Sequence, residues 1–117
     1  MEAFTIHEED LQGTPVLTVQ GYFSDVTGRD LLTRLERLIG TGRTTCIIDL
    51  GPCTVINSPG LGTMLDLTLK VVDDLRGRLI LTGLDRVKTS VLEMVGVLAM
   101  VTVAPDRAAA LRQAQTP

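Results

Sequence analysis

Aromatic side chains are nearly missing from this chain of 117 residues: Phe4, Tyr22 and Phe23 are all it has, and tryptophan is absent. Without a row of aromatic faces, unpaired bases have nothing to stack on. A cationic surplus is missing too, since 11 Lys and Arg stand against 14 Asp and Glu, for a formal net charge of −3. A phosphate backbone calls for a concentrated basic face, so nucleic acid is excluded as the expected partner. Histidine occurs once, as His7 in an acidic stretch, with no serine or cysteine at motif spacing. A Ser/His/Asp apparatus therefore has little to build from, and no catalytic residue is assigned. Cys46 and Cys53 stand seven apart with no second Cys or His cluster. That is neither a CxxC redox pair nor a zinc spacing, and buried reduced thiols are the plainer reading. The carboxylates Asp25, Asp49, Asp66, Asp73, Asp74 and Asp85 form no calcium-loop pattern and read as caps and solvated faces. No metal or cofactor is expected.

Long apolar runs are also absent. The most apolar segment, residues 91–104, is broken by Glu93, Gly96 and Thr102 and is shorter than the ~20 residues of a membrane-spanning helix. Direct membrane insertion is not expected. The opening "MEAFTIHEED" turns acidic at once, unlike an export signal, so a cytoplasmic location is expected. What is present is ordinary globular composition, 44% hydrophobic and 21% charged. The length suits one domain covering residues 1–117.

Periodicity supplies the organisation. Residues 4–6 and 16–20 are strand-like around a turn at 13–15, so an opening hairpin is predicted. Residues 25–39 carry Leu31, Leu35 and Leu38 at helical spacing, with Ser24 or Asp25 as the cap and Gly40 as the end. "CIIDL", residues 46–50, reads as a strand buried on both faces. A helix then runs from "NSPG" to about Leu75, and Gly77 ends it. A strand at 78–82, a helix at 87–95 closed by Gly96, a strand at 100–103 and a helix at 106–113 follow. The order ββαβαβαβα predicts an α/β fold, with a mixed sheet built from the hairpin and βαβ units and helices packed on it.

In such sheets the functional crevice lies at strand C-terminal ends, which is where "VINSPGLG" (residues 55–62) stands. Glycines ahead of a helix can aim N–H groups at an anion. This stretch, however, lacks the Walker lysine and threonine, and Pro59 has no N–H to offer. Local structure explains half of the motif, with Ser58 as N-cap accepting from the N–H of Gly60 or Leu61 and Pro59 at the first helical position. It does not explain Gly60 and Gly62, each costing ~0.8–1 kcal/mol against alanine in a helix. Something is expected to approach this helix start closely. At about 100° per residue, Thr63, Asp66, Lys70, Asp73 and Asp74 form a polar strip. The apolar side spans about 200° against the ≳100° of a surface helix. Leu61, Leu65, Val72 and Leu75 are placed at its centre, Met64, Leu67 and Val71 at one flank and Leu69 at the other. The Met64–Leu67–Val71 flank is left either for a partner or for a second helix of the same chain.

"CIIDLGPCTVINSPGLGTML" resembles the central segment of STAS domains, the family of bacterial anti-sigma factor antagonists. There a "DL" strand, a short loop and an Asp-Ser-Ser/Thr-Gly-Leu motif lead into a helix. "VLTVQGYF" is similar to the family's strand before the first helix, and "GRLILTGLDRVKTSVLEMVGV" to its glycine, strand, helix and closing glycine, so the likeness covers residues 16–111. The resemblance implies the same mixed sheet. It also implies a non-enzymatic module that binds a GHKL-type serine kinase serving as anti-sigma factor, and that is released by phosphorylation at the motif's second hydroxyl. Aligning on Gly60, Leu61 and Gly62 puts Asn57 at the acidic position, Ser58 before the acceptor and Pro59 at the acceptor itself. In "GYFSD", Ser24 or Asp25 stands where the family carries an aspartate. The resemblance thus assigns partner binding to Ser24, Asp25, Asn57, Ser58, Pro59, Gly60, Leu61 and Gly62, and the leftover flank adds Met64 and Leu67.

Three readings follow: a binder locked in its competent form by Pro59; a switch moved to Ser58, although an N-capping serine would have its oxygen engaged; and a STAS scaffold or accessory subunit, in a stressosome-like assembly or beside a transporter ATPase. Homodimerisation is an open alternative in each.

Overall fold

The computed structural model describes residues 3–116. The chain opens as a hairpin of β1 (Phe4–Leu11) and β2 (Thr14–Phe23), antiparallel from Phe4↔Gly21 to Leu11↔Thr14. The turn is tighter than the sequence predicts. Gln12 and Gly13 both take positive φ (56° and 85°), as a two-residue turn matched to strand twist requires. Pro15 therefore lies inside β2 rather than at the tip, opposite Asp10. It is tolerated there because pairing of β2 with the next strand begins only at Val16, so its missing N–H breaks no ladder on that side.

Ser24 caps α1 (Asp25–Gly40), and Thr41 rather than Gly40 closes it, with Gly42 taking the left-handed turn (φ 96°). β3 (Thr45–Asp49) pairs in parallel with β2 and with β5 (Arg78–Thr82). Its Cys46 and Ile48 enter one core and its Ile47 the other, all fully buried. The expectation of a central strand buried on both faces is met. The thiols of Cys46 and Cys53 are free and buried. Burial pushes the Cys46 thiol up to about 11 and also raises that of Cys53.

A strand missing from the sequence reading follows. After a turn in which Cys53 N–H donates to the Leu50 carbonyl (3.1 Å), β4 (Cys53–Ile56) resumes beside the upper half of β2, in parallel, ending at Phe23↔Ile56. It escapes pattern reading because it is short and its Thr54 and Val55 are exposed. α2 (Ser58–Leu69) continues into a wider turn over Lys70–Asp74, where Leu75 N–H reaches the Lys70 carbonyl five residues back. α3 (Arg86–Met94) ends ahead of Gly96 (φ 89°). β6 is only Thr102–Val103, because Val97–Ala99 is wound into a 3₁₀ turn. α4 (Arg107–Gln115) is last.

The sheet order is β1-β2-β3-β5-β6, with β4 on β2 beyond the end of β3. Leu31 and Leu35 of α1, Met64 and Leu67 of α2 and Leu92 of α3 fill the large core on one face. On the other face, Ala109 and Ala110 of α4 close a smaller core over Val16, Ile47 and Ile80. This is the mixed α/β sheet with packed helices that periodicity predicts. Among the described residues no helix is long and apolar enough to cross a membrane.

Candidate functional site

The register Phe23↔Ile56 brings the parallel strands β2 and β4 to an end side by side. Their next residues, Ser24 and Asn57, are the N-caps of α1 and α2, so two helix N-termini open at the same rim of the sheet. At α1, Ser24 Oγ accepts from Val26 N–H (3.2 Å), and Thr27 Oγ1 accepts from Ser24 N–H (3.1 Å) while donating to the Tyr22 carbonyl (2.8 Å). Asp25 follows as the first helical residue. The hydrogen bond from Arg29 (2.9 Å) holds its carboxyl below the usual range. Ser24 is thus occupied by capping, and Asp25 is the anionic group of this helix start.

At α2 the structure corrects the capping assignment. Asn57, not Ser58, is the N-cap, with its Oδ1 accepting from Gly60 N–H at 2.7 Å. Ser58 is the first helical residue and Pro59 the second, where the missing N–H would have had no partner inside the helix. Asn57 wins because its amide reaches the third helical N–H while its own N–H bonds the Phe23 carbonyl (3.1 Å), closing the helix start onto the strand end. Ser58 is consequently exposed and its hydroxyl takes no part in the cap.

The two glycines part company here. A Cβ on Gly60 would stand 2.1 Å from the Phe23 carbonyl oxygen, so the close approach that the sequence called for is made by β2 of this same chain. Gly62 is exposed, with nothing within 4 Å of its would-be Cβ. A third glycine, unnoticed in the sequence, matters as much: a Cβ on Gly28 would fall 1.9 Å from Thr63 Oγ1. Gly28 lets α1 and α2 pack close together. A glycine inside the periodic pattern of α1 was the available signal.

Of the two readings of the Met64–Leu67–Val71 flank, the structure meets the second: the flank is covered from within the same chain, and Met64 and Leu67 are not open to a partner. Met64, Leu67 and Val71 are fully buried and form the centre of the packed face of α2. Leu61 and Leu65 are the partly buried ones, and Leu69 is 39% exposed. The hydrophobic surplus exists, but α1 and the sheet take the flank that periodicity left over. The outer strip of α2 instead carries the exposed Ser58, Gly62, Asp66 and Leu69, with the partly buried Leu65 at its edge.

Beside this rim, β4 and α3 enclose a cleft of about 250 Å³, with Val55 and Ile56 on one wall and Asp85, Val87, Lys88 and Val91 on the other. Val55 and Val87 are exposed, Val87 to 70%. Lys88 is buried, its ammonium donating to the carbonyls of Leu50 (2.6 Å) and Cys53 (2.9 Å). Nothing in the sequence distinguishes this lysine from a solvated one on an amphipathic helix. His7 is exposed on β1, facing Glu9 at 3.8 Å. Among the described residues no three His, Cys, Asp or Glu side chains gather as metal ligands would. The rim therefore offers the exposed hydroxyl of Ser58, the bare Gly62, the Asp25 carboxylate and apolar side chains.

Known proteins place this architecture. An anti-sigma factor antagonist from Mycobacterium paratuberculosis superposes with a TM-score of 0.79 at 19% identity, over 97% of this chain and 95% of that one. The Bacillus cell fate determinant SpoIIAA in its phosphorylated form gives 0.67 at 20% identity, over 95% and 99%. A chain of the stressosome, a signal integration and transduction hub, gives 0.71 at 16% identity, over 93% and 96%. At these identities the likeness is one of fold. No curated protein sequence matches the chain. The family model of the STAS domain matches residues 6–110, and the protein belongs to the STAS domain family.

Proposed function

We propose that this protein is a non-enzymatic regulatory binding module of the anti-sigma factor antagonist kind. It acts as one cytoplasmic domain and docks an anti-sigma factor or GHKL-type serine kinase through the rim formed by Ser24, Asp25 and Asn57–Gly62. The observation that carries this reading is the start of α2, an exposed helix terminus capped by Asn57 in a STAS fold; the resemblance of NSPGLG to the family's motif puts Pro59 at the phosphoacceptor position. A proline takes no phosphate. The ordinary release signal is removed and the module binds constitutively.

The capping geometry also favours a second reading. With Asn57 serving as cap, Ser58 Oγ is free and exposed, so the objection that its oxygen is engaged falls away. A phosphate there would sit at a helix N-terminus, where the dipole tolerates its charge while the docking surface changes. The scaffold reading loses its original motive with the burial of Met64 and Leu67. It keeps the likeness to a stressosome chain as support.

The test is intact-mass spectrometry of the protein purified from its own host, before and after phosphatase, together with recovery of kinase-like anti-sigma proteins on the immobilised chain. Constitutive binding predicts an unmodified mass and a recovered partner. A phosphatase-sensitive phosphate on Ser58 would replace it with the displaced switch, and failure to recover any such partner while a related regulator does so would overturn both.

A further inference from the structure

β4 carries the chain into the rim, yet it is a poorly supported strand. Four residues long, it pairs among the described residues only with β2, because β5 runs beside β3 and ends at Thr82. Its outer side faces the first turns of α3 across the cleft. Two carbonyls on this side turn toward α3: that of Cys53 at the start of β4, costly to leave buried without a donor, and that of Leu50 just after β3, whose other donor is the Cys53 N–H (3.1 Å). Lys88 donates to both, with its side chain only 8% exposed. Its backbone is fixed in turn by Asp85, whose Oδ1 accepts from Lys88 N–H at 2.8 Å.

We propose that Lys88 is a positioning residue for the start of α2: by clamping the Leu50 and Cys53 carbonyls to α3, it fixes the turn and β4, and hence the height at which Asn57, Ser58 and Gly62 are presented. A single residue separates the last described pair of β4, Ile56 with Phe23, from Ser58, so a shift of β4 is passed on with no flexible linker between. The clamp lies under the docking rim without forming part of it, and it ties the rim to α3. Its purpose rests on the proposed function; its mechanics do not.

The experiment compares Lys88→Met, which keeps the apolar stem and removes the donors, with Ile80→Val in the core on the opposite face as a control for global stability. Amide hydrogen exchange is read across the chain in both. Lys88→Met should accelerate exchange at residues 53–60 by about tenfold or more relative to β1 and β2, whereas Ile80→Val should change all regions in proportion. Where the kinase-like partner has been recovered, Lys88→Met should also weaken its binding about tenfold, with the control unaffected. If Lys88→Met does not fold, Lys88→Gln, which retains a shorter donor, is read in the same way. Uniform acceleration, or protection at 53–60 equal to that of the unsubstituted protein, overturns the clamp. Selective loss of protection with no kinase-like partner for either protein upholds the clamp and counts against the proposed function instead.

Discussion

A methyl group added at Gly60 would meet the Phe23 carbonyl oxygen at 2.1 Å, whereas one added at Gly62 would meet nothing within 4 Å. The two glycines cost the helix the same in intrinsic propensity, so substitution separates them cleanly. Gly62→Ala should stabilise the protein by up to about 1 kcal/mol, the helix preference for alanine over glycine. Gly60→Ala gains the same preference but must push the strand end away from the helix, and should destabilise by about 1–3 kcal/mol. Urea unfolding midpoints moving in opposite directions check both. Because Gly62 lies on the exposed strip of α2, the proposed function expects its alanine variant to bind the kinase-like partner less well despite being more stable. In the sequence the pair reads as a single anomaly, two helix-weakening residues where a helix begins. What divides them is the path of β2, a long-range fact that no local pattern holds. The same is true of Asn57 and Ser58: either could cap α2, and the choice falls to Asn57 because its N–H lies against the Phe23 carbonyl.

At the scale of elements, helices and central strands were legible because burial imprints its period on them: Leu31 and Leu35 on α1, and Cys46, Ile47 and Ile48 on β3. β4 was not, since it is four residues long and its buried Cys53 and partly buried Ile56 are separated by two exposed residues, Thr54 and Val55, which breaks the alternation. The orientation of α2 was misjudged for a related reason. An apolar arc of about 200° has no unique centre, and only the position of α1, approaching at Gly28 and Thr63, decides which side goes inward. α4 shows a third kind of anchoring. Its apolar contribution is mostly alanine, and two arginines hold its ends. Arg78 donates to the carbonyls of Gln113 (3.0 Å) and Thr116 (2.8 Å) at the C-terminus. Arg107 at the N-terminus donates to Asp49 (2.9 Å), Thr18 (2.8 Å) and Glu9. The Asp49 hydrogen bond leads the effects that hold the Arg107 guanidinium above its ordinary pKa. Arg107→Met would leave Asp49, only 16% exposed at its side chain, without its cation, at a cost of about 1–3 kcal/mol. The loss should be local first, with amides of residues 107–115 exchanging faster while β2 and β3 keep their protection. Equal acceleration in helix and sheet would show that α4 does not depend on this anchor.

For the molecule as a whole, the weak joint is the edge strand β1, which among the described residues has β2 on one side and no strand on the other. Its attachment to α1 is ionic: Glu8 accepts from Arg34 (2.8 Å) and Arg37 (2.5 Å), with its side chain 25% exposed. Partial burial raises the Glu8 carboxyl's pKa, but the hydrogen bonds from Arg37 and Arg34 outweigh it and the net shift is downward. Asp10 and Asp25 are also lowered, by Arg43 and Arg29, but their side chains are close to half exposed and solvent screens their pairs. A carboxyl that binds its proton less readily in the folded state than in the unfolded one stabilises the fold above the unfolded pKa, about 4.3 for Glu. That contribution is lost as pH falls through the lower folded value. The thermal midpoint should therefore hold between pH 7 and about 5 and fall steadily below about 4.3. Glu8→Gln should start lower at neutral pH, by about 1 kcal/mol or less given the exposure of Arg37. It should then decline less steeply, so that the two curves converge in acid. Convergence assigns the acid sensitivity to the clasp between β1 and α1, and parallel curves would remove Glu8 from it. The proposed docking rim lies at the other end of α1 from Arg37 and shares no residue with the Glu8 clasp, so partner binding should outlast the loosening of β1 until Asp25, the rim's own carboxyl and itself held low by Arg29, takes up its proton.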